Sequence, residues 1–456
     1  MKILSIITIV ILMILCSVLS CDKLVDVDVP QNQMDKSTVF ENNQTAYAAL
    51  SSLYADLQKN SPLAGDKIAP FLSVYTDDLI SYSQNTPNST YDLYTNLLID
   101  TNDSVYTIWS AAWQQIYLAN SILESLEKST SLSQDVHDNI MGETLFIRSL
   151  VYFYLNQVYG DIPYITSTNY TINMSLSKRP ETELLELIRL DFQKAASLLK
   201  DDYRNAERLY PNKKVVALML AKVAILQKKW SVAEVFLNDV LNFSLYQPEK
   251  DIKKVFLKSG KHILWQLKPL KEGVPTPEGS LYYFNNAAPT LYSLSPDLVG
   301  QFTDMDLRKV NWITAVSSNS NTWYRSSKYK NLSANTDEYS IIFRIDEAYL
   351  LMAETLIRQG RSLEAIPFIN VSRKRAGLAG LSGVYSSDNL MLELALEYRR
   401  EFFVEQGHRF FDLKRLGLLS LLSANKPNWK SHNQLWPIPQ RDILLNRNLN
   451  PQNDGY

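Results

Sequence analysis

The strongest constraint on the fold is a helix-pair pattern that occurs twice. Residues 217–240 have the small–small–aliphatic spacing of a tetratricopeptide-like pair, and the same spacing recurs 132 residues later. The matching residues are Ala221, Ala233 and Leu237, then Ala353, Ala365 and Ile369. Small residues let two helices approach closely, and the larger aliphatic side chain fills the space beside them. Two such pairs in register predict a helical-repeat scaffold.

Apolar residues at helical spacing also occur elsewhere, so most of the chain is predicted to be α-helical. The predicted helices cover 40–59, about 109–117, 135–159, a segment beginning at Pro180, about 212–228, and 231–242. Gly160 is a stop signal for the third of these, and Ser231 to Glu234 has the sequence of a capping box. A short strand is predicted over 263–267. The predicted fold class is therefore mostly α, a tetratricopeptide-like helical-repeat scaffold with long irregular aromatic-rich insertions and a few short strands.

The N-terminus has the pattern of a secretory signal. Lys2 precedes an apolar run over 3–19, and the small residue Ser20 precedes Cys21. A membrane span is the alternative for this run, but its length is borderline and acidic residues follow at once. Cleavage before Cys21 would leave one cysteine at the new N-terminus, so no intramolecular disulfide is expected. Such a cysteine resembles the acylation site of a bacterial lipoprotein, and several acyl chains would hold the protein on a membrane.

The charge balance excludes one class of partner. The chain has 46 Lys+Arg and 48 Asp+Glu, a formal net charge of −2, so no basic excess exists to collect phosphates. Nucleic acid is therefore not expected as a partner.

Two polar, aromatic stretches interrupt the helical pattern, at 71–104 and at about 243–340. Long irregular segments inside a helical body usually carry function. Aromatic faces can stack on a ligand, and Asn, Asp and Arg can hydrogen-bond it. The candidate ligand-binding residues are Tyr75, Asp77, Tyr82, Asn85, Tyr91, Tyr282, Tyr283, Tyr292, Trp323, Tyr324 and Arg325. Ordinary packing of these loops is the alternative; Trp109, Trp113, Trp230 and Trp265 are assigned to the core.

Sequence signatures of enzymes are mostly missing. The 4 histidines are not at metal-ligand spacing, no phosphate-binding glycine loop occurs, and no metal or cofactor is predicted. Asp77 and Asp78 remain possible glycosidase carboxylates, because that pair has no fixed spacing. The dense charged motif at 397–415 admits a catalytic use of Glu401 or Asp412. A structural ion-pair network is favoured there, because interleaved phenylalanines would bury the arginine stems.

At these residues the chain resembles the SusD/RagB family of outer-membrane nutrient-binding lipoproteins. The matching features run from the acidic segment after Cys21 to the C-terminus. They include Trp109, Tyr117 and Asn120; Gly142, Glu143, Phe146 and Arg148; Tyr159 to Pro163; Arg344, Glu347, Ala353 and Glu354; Asn370 to Gly377; Arg399 to Arg415; and the closing Leu435 to Gln440 and Gln452 to Tyr456.

The resemblance implies a function as well as a fold. Members of the family are non-enzymatic binding proteins on the cell surface, where they cap a TonB-dependent, SusC-like transporter and deliver a glycan to it. The repeat helices would hold the fold and face the transporter, while the loops carry the ligand. A peptide ligand is the alternative within the family, and a secreted glycoside hydrolase is the alternative outside it.

The expected organisation follows from this resemblance. Residues 1–20 form a lipoprotein signal peptide, and 21–456 form one SusD-like domain. Within that domain we expect N-terminal helical repeats over 21–242 with a loop at 71–104, a ligand-loop insertion over 243–340, and a C-terminal helical part over 341–456.

Overall fold

The computed structural model describes residues 39–83 and 90–456, and this part of the chain is mostly α-helical. The signal segment, Cys21 and Asn85 lie outside the described residues. The helices before the middle of the chain are α1 Asn43–Lys59, α2 Ile68–Tyr75, α3 Thr90–Thr95, α4 Asp103–Lys128, α5 Gln134–Tyr159, α6 Tyr170–Asn173, α7 Glu181–Leu198, α8 Lys213–Leu226 and α9 Trp230–Leu241. The remaining helices are α10 Pro277–Leu281, α11 Pro296–Gly300, α12 Leu307–Trp312, α13 Ile345–Arg358, α14 Ser362–Arg375, α15 Ser387–Phe402, α16 His408–Leu416 and α17 Gln440–Leu445.

Local sequence sets the ends of the long helices. The side chain of Asn102 accepts hydrogen bonds from the backbone N–H groups of Ser104 and Val105 at 2.9 and 3.3 Å, which caps the N-terminus of α4. Helix α5 ends at Gly160 as predicted, where φ is +73° and a side chain would be strained. These signals explain why the long helices lie close to their predicted positions.

The two predicted repeat pairs are present as α8 with α9 and α13 with α14. Their six signature residues are all completely buried: Ala221, Ala233, Leu237, Ala353, Ala365 and Ile369. The pairs also contact each other, because Lys222 Nζ lies 2.6 Å from Glu347 Oε1 and Arg361 Nη1 lies 2.8 Å from Glu234. The chain therefore stacks its helix pairs side by side, and the predicted tetratricopeptide-like scaffold is confirmed.

Two predicted helix boundaries are wrong. Helix α9 begins at Trp230 behind Lys229, and no side chain caps it, so the predicted capping box does not form. In the charged motif, Gly407 is the stop signal that the sequence predicts, but helix α15 already ends at Phe402. Val404, Gln406 and Gly407 all have positive φ, which is incompatible with a continuing right-handed helix.

Six strands form two sheets in the described residues. They are β1 Leu79–Ser81, β2 Ile263–Leu267, β3 Tyr292–Leu294, β4 Ile313–Ser318, β5 Asn321–Ser326 and β6 Ser340–Arg344. The predicted strand over 263–267 is confirmed and pairs with β6. The other four form an antiparallel sheet of order β1-β3-β5-β4, which the sequence reading missed.

The charged motif at 397–415 forms a buried ion network, as favoured from the sequence. Glu401 is fully buried and contacts the guanidinium groups of three arginines, which are Arg308, Arg344 and Arg375. Burial by itself raises the pKa of Glu401, but these three cations outweigh that effect and hold the pKa well below its usual range. Asp412 is likewise buried against Arg415 and His408. The carboxylates considered for catalysis are therefore occupied by structural partners.

Replacing Glu401 with Gln leaves three buried guanidinium groups short of one negative charge. We expect a loss of about 3–5 kcal/mol in the free energy of unfolding, because an unpaired buried charge is far costlier than a missing surface pair. Urea unfolding followed by circular dichroism measures this loss. Glu364→Gln is the matched control, because it breaks an exposed ion pair with Arg361 and should leave the midpoint near wild type. Equal midpoints for Glu401→Gln and the wild type would contradict the structural role.

Candidate functional site: an aromatic sheet face

The four-stranded sheet brings the two aromatic stretches of the sequence together. Strand β1 comes from the first stretch and pairs with β3 from the second, with Ile80 opposite Ser293 and Ser81 opposite Tyr292. Strand β3 then pairs with β5, with Leu294 opposite Tyr324. Segments about 210 residues apart in sequence thus form one surface.

Alternation along the strands sorts the predicted site residues onto two faces of the sheet. Because Leu294 is opposite Tyr324, the neighbouring Ser293 and Arg325 share the other face. Tyr82 joins this face, since its hydroxyl lies 3.2 Å from Ser293 Oγ. We call the surface formed by Tyr82, Ser293, Trp323 and Arg325 the Trp323 face.

The aromatic residues of the Trp323 face remain partly accessible. Trp323, Arg325 and Tyr82 are half-buried. The exposed Tyr283 extends the face from the side, because its ring centroid lies 4.7 Å from the Arg325 guanidinium carbon. This arrangement offers flat apolar surfaces next to hydrogen-bond donors, as recognition of a sugar ring requires.

A pair of tyrosines lies near the β1 end of this surface. The ring of Tyr91 is 6.3 Å from the ring of Tyr94, centroid to centroid. Burial raises the pKa of Tyr94, and the nearby Tyr82 and Tyr91 raise it further. Tyr94 was not among the predicted site residues. Its position follows from helix α3, which places it one turn from Tyr91.

The other face of the sheet is turned to the protein interior. Tyr292 is buried, and Tyr324 is half-buried and packs against the hydrophobic core. Neither residue shares the surface of Trp323. The candidate residues Trp323, Tyr324 and Arg325, adjacent in sequence, therefore do not form one surface, because neighbouring residues of a strand point to opposite faces.

Three further predicted residues are buried. Tyr75 is 0% exposed, donates a hydrogen bond to the Asn433 carbonyl at 3.0 Å, and packs edge-on against Phe410 and Trp436. Tyr282 and Asp77 are each 4% exposed. These residues lie in the core and present no surface to a ligand.

Asp77 and Asp78 anchor the start of strand β1 instead of binding ligand. Arg399 Nε lies 2.9 Å from Asp78 Oδ1, and Arg409 Nε lies 2.8 Å from Asp77 Oδ1. Burial raises the pKa of the Asp77 carboxyl, but Arg399 and Arg409 outweigh burial and lower it to about 2. Burial raises the pKa of Asp78. This pair, considered above as glycosidase carboxylates, is thus enclosed by arginines.

Of the four tryptophans that the sequence assigns to the core, two are buried and two are not. Trp109 and Trp265 are buried, whereas Trp113 and Trp230 are half-buried. Trp113 lines a second concavity of about 280 Å³ together with the exposed Tyr117 and Tyr170. The helical spacing of residues 109–117 predicts a helix there, but it does not show which side of that helix stays accessible after the later loops pack.

The described ranges 39–83 and 90–456 show neither a metal-ion cluster nor a membrane-spanning helix. They contain no group of three or more His, Cys, Asp or Glu residues placed to hold a metal ion. No helix in the same ranges has the length and apolar character needed to cross a membrane.

Comparison with known proteins identifies the family. Residues 26–225 match the family described as "Starch-binding associating with outer membrane", and residues 295–456 match the SusD family. This chain belongs to the SusD family, a group of binding proteins, as the sequence resemblance indicated.

Similar proteins support this assignment over almost the full length. A SusD-like protein of Formosa agariphila is 25% identical over 94% of this chain and 95% of its own. A SusD homolog from Bacteroides thetaiotaomicron has a TM-score of 0.80 at 18% identity, covering 93% of this chain and 100% of its own. Surface glycan-binding protein A from Bacteroides thetaiotaomicron, solved with laminarihexaose, has a TM-score of 0.75 at 17% identity, covering 90% and 99%. The fold is the one these proteins share.

The ion pairs of Asp77 predict a pH-dependent contribution to stability. Its folded pKa of about 2 lies below the ordinary value of 3.8, so the contribution is present above pH 4 and is lost as the pH falls through 2. We expect Asp77→Asn to lower the free energy of unfolding at pH 7 by roughly 2 kcal/mol. Urea midpoints at pH 7, 5 and 3 should show the gap to wild type narrowing only at the lowest pH.

The control for this prediction is Asp304→Asn, which removes an exposed partner of Lys309. Its midpoint should follow the wild type at every pH. A gap for Asp77→Asn that stays constant down to pH 3 and below would show that the ion pairs are not its source.

Proposed function

We propose that this protein is a cell-surface lipoprotein that binds a glycan on the Trp323 face and delivers it to a TonB-dependent, SusC-like transporter of the outer membrane. The observation that carries the proposal is the meeting of Tyr82, Trp323, Arg325 and Tyr283 on one accessible surface. Membership of a family described as starch-binding, and the glycan complex of a protein with this fold, support a carbohydrate ligand.

The physical role of each group follows from its chemistry. The indole of Trp323 offers the widest apolar plane for stacking on a sugar ring. Tyr82 and Tyr283 add hydroxyl groups that can both donate and accept. An open surface of this size makes few contacts, so affinity for one site should be modest, and repeats along a polysaccharide should raise it by avidity.

Trp323→Ala should weaken glycan binding by about tenfold or more, because it removes the stacking plane at the centre of the face. Affinity electrophoresis of residues 22–456 through gels containing soluble polysaccharides measures the change. Tyr324→Ala is the comparison variant, because the Tyr324 side chain points to the core face of the sheet. Its removal should change the retardation less than removal of Trp323. Trp230→Ala on α9 controls for loss of a half-buried tryptophan elsewhere.

The outcomes separate the site from the function. Equal retardation of the wild type and Trp323→Ala would keep glycan binding but reject this face. Retardation of the wild type by peptides, with none by any polysaccharide, would reject the glycan in favour of the peptide alternative.

Anchoring is proposed to occur through acylated Cys21, with the mature chain held at the outer membrane. Cys21→Ser should move the full-length protein from the membrane fraction to the soluble or retained precursor fraction, since the acyl chains supply the attachment. Cys16→Ser is the matched control, because Cys16 lies inside the segment that cleavage removes. Membrane attachment that survives Cys21→Ser would contradict the lipoprotein assignment.

A further inference from the structure

Arg325 is a cation in an unusual position. Its guanidinium is half-buried against the ring of Tyr283, and its Nε is buried without a hydrogen-bond partner in the part of the chain that the structure describes. Burial lowers the pKa of Arg325, and Tyr283 is the only group that opposes this shift. Among the described residues, no carboxylate forms an ion pair with Arg325, and none contributes to the shift of its pKa.

This protein otherwise pairs its deeply buried guanidinium groups with carboxylates. Arg148 contacts Asp191, Arg308 contacts Glu397, and Arg344 and Arg375 contact Glu401. Arg399 contacts Asp78, and Arg415 contacts Glu354. Arg325 departs from this pattern, although it too has lost part of its hydration.

The surroundings of Arg325 on the sheet are uncharged. The residues that share its face by strand alternation are Ile80, Tyr82, Ser293, Thr314, Val316 and Trp323. The face therefore carries one positive charge that no neighbouring strand residue neutralises.

Partial burial of a charge without a counter-charge is unfavourable, and the penalty is relieved when an anion binds. A guanidinium presents a planar fork of donors that fits a carboxylate or a sulfate with two parallel hydrogen bonds. A neutral sugar hydroxyl can accept one such bond but supplies no compensating charge. The chemistry at Arg325 thus discriminates between acidic and neutral glycans.

We propose that the Trp323 face binds an acidic glycan, with Arg325 holding a carboxylate or sulfate group of the sugar while Trp323 stacks on a ring. The ring of Tyr283, 4.7 Å from the guanidinium carbon, holds the Arg325 side chain on this face before the ligand arrives. This inference rests on the proposed glycan-binding function and adds the charge of the ligand to it.

The test compares charged polymers with neutral polymers of the same linkage. Polygalacturonate and alginate are probes for carboxylate, and each is compared with its carboxyl-reduced form. Carrageenan is the probe for sulfate, and it is compared with its desulfated, neutral form. We expect the wild-type protein to bind at least one charged polymer about tenfold or more tightly than its neutral partner, with an affinity that falls as salt rises.

Arg325→Gln should abolish this preference, so that the charged polymer and its neutral form bind equally. Arg441→Gln is the matched control, because Arg441, on the C-terminal helix α17, also lies over a tyrosine ring, that of Tyr106, but is exposed to water. It should keep the preference unchanged. Thermal unfolding of both variants checks that the fold is intact.

The possible results distinguish a failure of this inference from a failure of the proposed glycan-binding function. Binding of neutral glycans only, or a preference that survives Arg325→Gln, overturns the acidic ligand and leaves glycan binding in place. Binding of poly-glutamate with no binding of any acidic glycan overturns both in favour of an acidic peptide. No binding of any neutral or charged polymer also overturns both.

Discussion

The structure depends on the buried charges at the end of helix α15. Glu397, Glu401 and Glu405 hold cations from the middle of the chain, which are Arg308, Lys328 and Arg344. Arg399, on the same turn, holds Asp77 and Asp78 at the start of strand β1. One short segment therefore fixes both parts of the sheet relative to the repeat helices. These ion pairs are deeply buried, so removing one member leaves the opposite charge buried and unpaired, which is energetically costly. All of the charges must therefore be in place together.

The helical part of this fold could be predicted well from the sequence. The periodic apolar residues, the small residues of the two repeat pairs and the stop signal at Gly160 all act locally or at fixed spacing. The ends of α9 and α15 were less predictable. A capping sequence forms a cap only if the chain before it takes the right direction, and the positive φ angles of Val404, Gln406 and Gly407 are set by packing.

The candidate site was harder to predict, because it is assembled by pairing between distant strands. The two aromatic stretches were recognised from composition, but nothing in either one indicates that β1 pairs with β3. The face to which each side chain points depends on that register. Tyr75 and Tyr82 look alike in sequence, yet one lies in the core and the other on the sheet surface. Which of the two tyrosines is exposed can be predicted only when the pairing of the distant strands is known.

The β4–β5 hairpin is attached on both sides but not at its tip. Arg308 precedes it, Lys328 follows it, and the backbone N–H of Ser327 closes its base by donating to the Trp312 carbonyl at 2.8 Å. The buried ion pairs thus lie at the base of the hairpin, and the proposed binding residues Trp323 and Arg325 lie beyond them. The outward side chains of residues 313–326 can consequently be substituted, in evolution or by design, without changing the packing of the core. In this arrangement, the chemistry of the proposed ligand surface can change through the outward-facing residues of one hairpin.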